Sequence, residues 1–517
     1  MDASQLAHEA FAGSDDLDTY RSDPAFENRR QPFGRHLRHD ARRLTHVSPP
    51  PRASDSTLGR YGYSECVSGA IVEQLAAIVG SANVLVADLD RYEVDWTRRY
   101  SGRSACVVRP ADTAEVAAIV AWARRAGVAL VPQGGNTGLV GGSVPRGGEV
   151  VVSLERMRHI GPVDALSRQV TVGAGVTIHD LHETARAAGL RYAVDFGARG
   201  SATVGGSVAT NAGGINVVRY GMTRQQIVGV EAVLGTGEVV SHLQGLVKDN
   251  TGFDLASLLC GSEGTLGIVT AVRVRLVPEQ PVRVTALAGF DRVDAAVEAT
   301  ASVCRSLDTV DAAELMLDSG VELVETTVGV ESPIPRAAAY LLVECSALDD
   351  QSESLGSILD SVSGLRDVAI AVTPSQRDAL WRLRDEHTPS INTLGPPLKF
   401  DVTVPIDRLS GFVTSIGGVV SAVAPGARTF VFGHAADGNM HVNVSGASGH
   451  DDQVTDAVLR AVVAEGGSIS AEHGIGVAKA RWLHLSRSAA EIEAMRAIKG
   501  ALDPDGVMNP GVLFAAV

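Results

Sequence analysis

The chain has 517 residues, of which 45% are hydrophobic and 20% charged, so a large packed core is available and global disorder is excluded. Lys and Arg number 45 against 60 Asp and Glu, a net charge of −15, which excludes a general nucleic-acid binder because no surplus cation is available to neutralise phosphate. At roughly 150 residues per domain, the length suggests two to four domains.

Residues 1–60 are poor in apolar side chains and contain Pro49-Pro50-Pro51, and are expected to form a mobile extension. Globular patterning starts at Tyr61. Ile71–Val79 has a helical pattern. Val107–Val131 reads as strand, helix, strand, with a helix from Thr113 to Ala126 that Gly127 ends. Five glycines then fall between Pro132 and Pro145, which no regular element accommodates. Strands are expected at Val150–Ser153 and Gln169–Val172, a second glycine-rich stretch at 197–214, and a hairpin joining Val228–Leu234 to Glu238–Ser241. A third cluster, Gly261-Ser-Glu-Gly264-Thr-Leu-Gly267, leads into a strand over Ile268–Val277. Pro278–Pro281 is the expected boundary between a first domain (61–280) and a second (281–500), with a last segment at 501–517. Leu409–Ala427 is uncharged but carries Gly, Ser, Thr and Pro, which predicts an amphipathic helix and a loop rather than a membrane span. Five scattered cysteines without CxxC predict reduced thiols and a cytoplasmic protein, with peripheral attachment to the inner membrane face as the variant reading.

Glycine lets backbone N–H groups approach an anion closely. One such loop is more often a plain turn. Three loops with Thr137, Ser143, Ser201, Thr203, Ser262 and Thr265 interleaved favour a cradle for an extended phosphorylated cofactor. They match neither a GxGxxG turn opening a helix nor a P-loop.

In the second half, Asp437-Gly438 is a turn signal between His434 and His441, so a hairpin sets the two histidines side by side. Period-two alternation then puts Asn439, His441 and Asn443 on one face and Met440, Val442 and Val444 on the other. Glu472 and His473 are adjacent and can serve one site only if the backbone bends, which Gly474 permits. From the residues alone, hydrogen-bonded histidines in turns remain the alternative to a metal site. Trp381–Thr388 predicts one helix with Arg384 and Thr388 on a shared face. Lys399, one of only four lysines, follows the Gly395-Pro396-Pro397 turn and opens a strand.

The segments 132–145, DFGARGSATVGGSVATNAGG (195–214), RYG (219–221), KDNTGFDL (248–255) and GSEGTLGIVT (261–270) resemble the FAD-binding domain of the vanillyl-alcohol-oxidase/p-cresol-methylhydroxylase flavoproteins. GHAADGNMHVNV (433–444), SAEHGIGVAKARWL (470–483) and LDPDGVMNPG (502–511) resemble the FAD-linked D-2-hydroxyacid dehydrogenases, nearest to members that oxidise D-2-hydroxyglutarate. The resemblance runs from about residue 90 to 515 in matching order and implies an α+β fold: a two-subdomain FAD-binding domain and a cap with an antiparallel sheet. It implies FAD contacts from Pro132, Gly134, Gly135, Asn136, Thr137, Gly138, Gly142 and Ser143 in the first loop. The second loop would contribute Gly197, Gly200, Ser201, Thr203, Gly206, Asn211 and Gly213, the third Glu263, Gly264 and Ile268, and the C-terminus Asn509. Asn136-Thr137 stands where covalent members carry a His or Cys, so noncovalent FAD is implied.

By the same resemblance His434, His441 and Glu472 match divalent-metal ligands, with Zn²⁺ the expected ion, and His473 the catalytic base. Arg384, Thr388, Lys399 and Asn443 match substrate contacts. The implied reaction is oxidation of a D-2-hydroxyacid, D-2-hydroxyglutarate first, with electrons passing on to an electron-transfer flavoprotein or a quinone; a homodimer is allowed. The alternatives are D-lactate or glycolate as substrate, or a flavin-binding subunit without chemistry of its own.

Overall fold

The computed structural model describes residues 65–515. The expected N-terminal extension, residues 1–60, lies outside the described residues.

The helix Thr113–Ala126 begins where Asp112 caps the N–H of Glu115 and stops at Gly127 in the left-handed region, φ 65°. Its face of Val116, Ile119, Val120 and Ala123 is buried against a four-stranded sheet. That sheet has the order Val84–Leu85, Cys106–Val108, Val150–Ser153, Leu130–Gln133, and its last three strands are parallel. The third strand inserts between the two that the helix connects. A second four-stranded sheet, wholly antiparallel, has the order Gln169–Gly173, Gly267–Arg275, Ile227–Leu234, Val239–His242. The first glycine loop follows the strand Leu130–Gln133, and the third leads into Gly267–Arg275.

From Val282 the chain builds a seven-stranded antiparallel sheet in the order Leu365–Ala371, Val282–Phe290, Ala339–Ala347, Val310–Leu317, Arg428–His434, Asn439–Ser445, Leu398–Thr403. One face is apolar and packs under helices: Met440, Val442 and Val444 meet Leu409, Phe412, Val413, Ile416 and Val420 of the helix Ile406–Val423. That helix is the one described segment long and apolar enough to cross a membrane, and its buried stripe belongs to this core. On the other face, Leu287, Met316, Leu342 and Phe432 pack against Leu380, Leu383 and Ile391. The same face carries the ionisable side chains Glu314, Lys399, Asp401, His434 and His441.

The helix expected through Thr388 is broken. Pro374–Asp385 opens with a capping box from Thr373 and Gln376, and a second short helix, His387–Asn392, restarts after Glu386. Pro389 is the local reason: proline is tolerated in the first turn of a helix and not in the interior of a longer one. The fold is thus a two-domain α+β arrangement in which one face of an antiparallel cap sheet looks onto the glycine loops.

Candidate active site

The three glycine loops and the polar face of the cap sheet enclose one cavity of about 1040 Å³. Of the nineteen residues expected to touch the cofactor, fifteen line it. Gly200, Ser201, Asn211 and Asn509 do not. Gly200 and Ser201 are exposed, although the Ser201 carbonyl packs where a Cβ on Gly135 would stand, 1.9 Å away, so the first loop needs glycine there. Asn211 ends the helix Val204–Thr210 at φ 50° and accepts the Arg224 N–H. Asn509 is buried, and its amide donates to the Gly142 and Glu263 carbonyls, joining the first and third loops from the C-terminus. Two side chains within the lining are also occupied structurally. Asn136 donates to the carbonyls of Arg91 and Val94, and Thr203 caps its helix at Gly206.

The Glu263 carboxylate accepts the N–H groups of Ile475 (2.9 Å) and Gly476 (2.7 Å), so its side chain holds the loop after His473. Burial raises its pKa.

His434 and His441 lie on adjacent strands with ring centroids 5.4 Å apart, and His441 stacks on His473 at 5.9 Å and 11°. Glu472 Oε1 is 3.9 Å from His434 Nε2 and 3.8 Å from His473 Nε2. Its other oxygen accepts the Gly214 N–H at 2.8 Å, which ties the cluster to the second glycine loop. Gly474, at φ 84°, makes the bend that lets Glu472 and His473 face the same site.

Behind this cluster stand two fully buried carboxylates that pattern reading passed over. Glu314 accepts from His434 Nδ1 and from Arg384 Nε. Burial alone would raise its pKa, but Arg384 and His434 hold it well below the usual carboxylate range. Burial likewise disfavours charge on His434, and the Glu314 carboxylate outweighs it, lifting the imidazole to about 9. Asp401 Oδ2 accepts the N–H groups of Ala471, Glu472 and His473, and Oδ1 accepts from Asn439. His441 Nδ1 is 3.6 Å from Asp401 and His473 Nδ1 is 4.0 Å away. Burial opposes the Asp401 charge, yet His473, Lys479 and His441 hold its pKa far down, and His441 is pushed well below its ordinary value by burial and by His434.

Asp401, His441, Glu472 and His473 bring potential ligand atoms within 4.8 Å of one another. Asp401 already accepts four hydrogen bonds, so it acts as a buttress behind the histidines. His434 falls outside that group, although its Nε2 is 3.9 Å from Glu472 Oε1; its imidazole and those of His441 and His473, backed by carboxylates, are the candidate partners of Glu472 in a divalent-metal site. The donor set fits a metal.

Thr388, Lys399 and Asn443 line the same cavity despite the helix break. Arg384 also lines it, lies over the Phe432 ring at 4.7 Å, and makes no hydrogen bond from its Nη groups among the described residues. Arg382 is exposed. Burial lowers Lys399 to about 8.

Glycine loops, cavity and cap sheet define an FAD-linked oxidoreductase, a class that the domain matches bear out: residues 104–242 match the FAD binding domain and residues 279–513 the C-terminal domain of FAD linked oxidases. The fold is shared with p-cresol methylhydroxylase (TM-score 0.71, 17% identity, 88% of this chain and 98% of that one) and alkyldihydroxyacetonephosphate synthase (TM-score 0.68, 17%, 90% and 86%). In sequence the chain is 38% identical to D-2-hydroxyglutarate dehydrogenase of Xanthomonas citri pv. viticola, over 83% of this chain and 93% of the relative. It is 36% identical to the Stutzerimonas stutzeri enzyme of that name (86% and 99%) and 36% to the mitochondrial one of Bos taurus (82% and 79%). The chain belongs to the D-2-hydroxyglutarate dehydrogenase family of FAD-dependent hydroxyacid dehydrogenases.

Proposed function

We propose that the protein oxidises D-2-hydroxyglutarate to 2-oxoglutarate with noncovalent FAD and a divalent metal. The observation that carries this reading is Glu472, whose two oxygens face the histidine cluster on one side and the flavin loop on the other. FAD, when bound in the cradle, supplies the acceptor for the hydride leaving C2. A divalent ion, Zn²⁺ first, held by His434, His441 and Glu472, would lower the pKa of the substrate hydroxyl. His473 Nε2 takes the hydroxyl proton, and Asp401 behind Nδ1 keeps the ring oriented. Lys399 and Arg384 bind carboxylate, Arg384 through the Nη groups that Glu314 leaves open, with Thr388 and Asn443 as neutral partners. Two cationic anchors suit a diacid better than lactate or glycolate. The expected electron acceptor is an electron-transfer flavoprotein or a quinone. Cys106, Cys260, Cys304 and Cys345 are free, in keeping with a cytoplasmic protein.

The test is metal stripping. Chelation should abolish turnover while the flavin stays bound, and Zn²⁺ or a similar ion should restore it. A fully active preparation without metal by elemental analysis contradicts the metal assignment.

A further inference from the structure

A second cavity of about 1010 Å³ adjoins the active site. Trp96, Leu139, Val140, Asn392, Lys399 and Phe400 line both. Lys399 thus borders both cavities, and its ammonium lies 5.1 Å from the centroid of the Trp96 ring. Trp96 is 53% exposed, so the indole that covers the ammonium is not locked by packing. The cavity runs between the glycine-loop region and the cap: Arg99 on one wall pairs with Asp451 on the other at 2.6 Å.

Its charge runs against that of the whole molecule. Five Lys and Arg line it against three carboxylates, in a chain with a net charge of −15. An overall negative surface repels an anion, whereas a cleft of opposite sign concentrates it. The glycine loops wall the cofactor side of the first cavity, so FAD held there would stand between that side and the histidines.

We propose that this second cavity is the vestibule through which a carboxylate-bearing substrate reaches the active site, with Trp96 as the movable partition over Lys399. The proposal rests on the functional reading above. The arriving carboxylate exchanges the Trp96 ring for itself on the Lys399 ammonium, since a cation–π contact at an exposed ring is weaker than a charge-assisted hydrogen bond.

Cysteine blocking tests it in the full-length, FAD-loaded enzyme. Thr455→Cys, on the cap wall of the vestibule, is labelled with a bulky maleimide or with a methyl thiosulfonate. Gln453→Cys, on the same helix but outside the lining, is the control, and the parent treated with each reagent is the reference. Asp452→Cys, at the exposed rim, replaces Thr455→Cys if that variant does not fold. The bulky adduct at Thr455 should lower kcat/KM for D-2-hydroxyglutarate by about tenfold or more through slower association. Flavin content and reduction by dithionite should be unchanged. The methyl-sized adduct and the labelled Gln453→Cys control should stay within about twofold of the parent, as expected where access is not narrowed. A bulky adduct that leaves kcat/KM at the parental value overturns the vestibule. A parent that oxidises no 2-hydroxyacid overturns the functional reading and the vestibule with it, and only the first failure leaves an active parent.

Discussion

Glu314 and His434 face each other across adjacent strands of the cap sheet, and the carboxylate that receives His434 Nδ1 also receives Arg384 Nε. One buried side chain thus sets the orientation of a metal-ligand candidate and of a substrate-anchor candidate. Glu314→Gln can keep at most one of these contacts as it stands and removes the charge that offsets Arg384. Losing such a carboxylate behind a ligating histidine typically costs about 10–100-fold in metal affinity. We expect that loss by metal titration, with flavin content unchanged. Parental metal affinity in Glu314→Gln would show that His434 is not a ligand.

Lys399→Ala separates the anchor from the chemistry. Losing a charged contact in a closed pocket costs roughly 2–4 kcal/mol, or tens to several hundredfold in kcat/KM, and only for a substrate with a distal carboxylate. D-2-Hydroxyglutarate should therefore suffer far more than D-lactate. Equal losses on both would remove Lys399 as the distal anchor.

The same lysine sets a pH limb. Its pKa is lowered by burial to about 8, so the ammonium is present below that pH and is lost as pH rises through it. KM for the diacid should climb above pH 8 while KM for D-lactate stays flat. Lys399→Arg, which stays charged, should abolish the climb. A diacid KM independent of pH in the parent contradicts the assignment.

His473→Ala removes the proton acceptor. Positioned bases typically supply about 10²–10⁴-fold, so turnover of every hydroxyacid should fall by a similar factor, with flavin and metal retained. A loss confined to one substrate would make His473 a binding residue.

Asn136 is occupied by two backbone carbonyls and Thr137 offers no imidazole or thiol, so FAD should be released by acid precipitation. A colourless pellet under a yellow supernatant is expected. Flavin retained in the pellet would mean a covalent link.

Much of this was legible in local pattern. Period-two alternation placed His441 and Asn443 opposite Met440 and Val442 in register with the core, and the Asp437-Gly438 turn brought His434 alongside. The helix Thr113–Ala126 and the hairpin at 227–242 followed from caps, glycines and apolar spacing. Glu314 and Asp401 escape that pattern because each sits within a largely apolar strand with its partners distant in sequence. His434 is 120 residues from Glu314, and the three N–H groups on Asp401 are 70 to 72 residues away. The available signal was the acid itself: a carboxylate inside a strand of core residues is buried, and a buried charge requires partners. Helical spacing alone carries Arg384 and Thr388 onto one face, while the break at Glu386 is signalled only by Pro389. Asn211 and Ser201 come with the glycine loops, and neither lines the cavity: Asn211 ends a helix and the Ser201 carbonyl packs against Gly135.

The most direct test of the account is anaerobic titration of the purified, metal-replete protein with D-2-hydroxyglutarate, D-malate, D-lactate and glycolate, followed at the visible band of the flavin. The account predicts complete bleaching by D-2-hydroxyglutarate at one equivalent per flavin, slower bleaching by the monoacids, and none by any of the four after chelation. A flavin that stays yellow with all four, in protein shown to carry both FAD and metal, would contradict it.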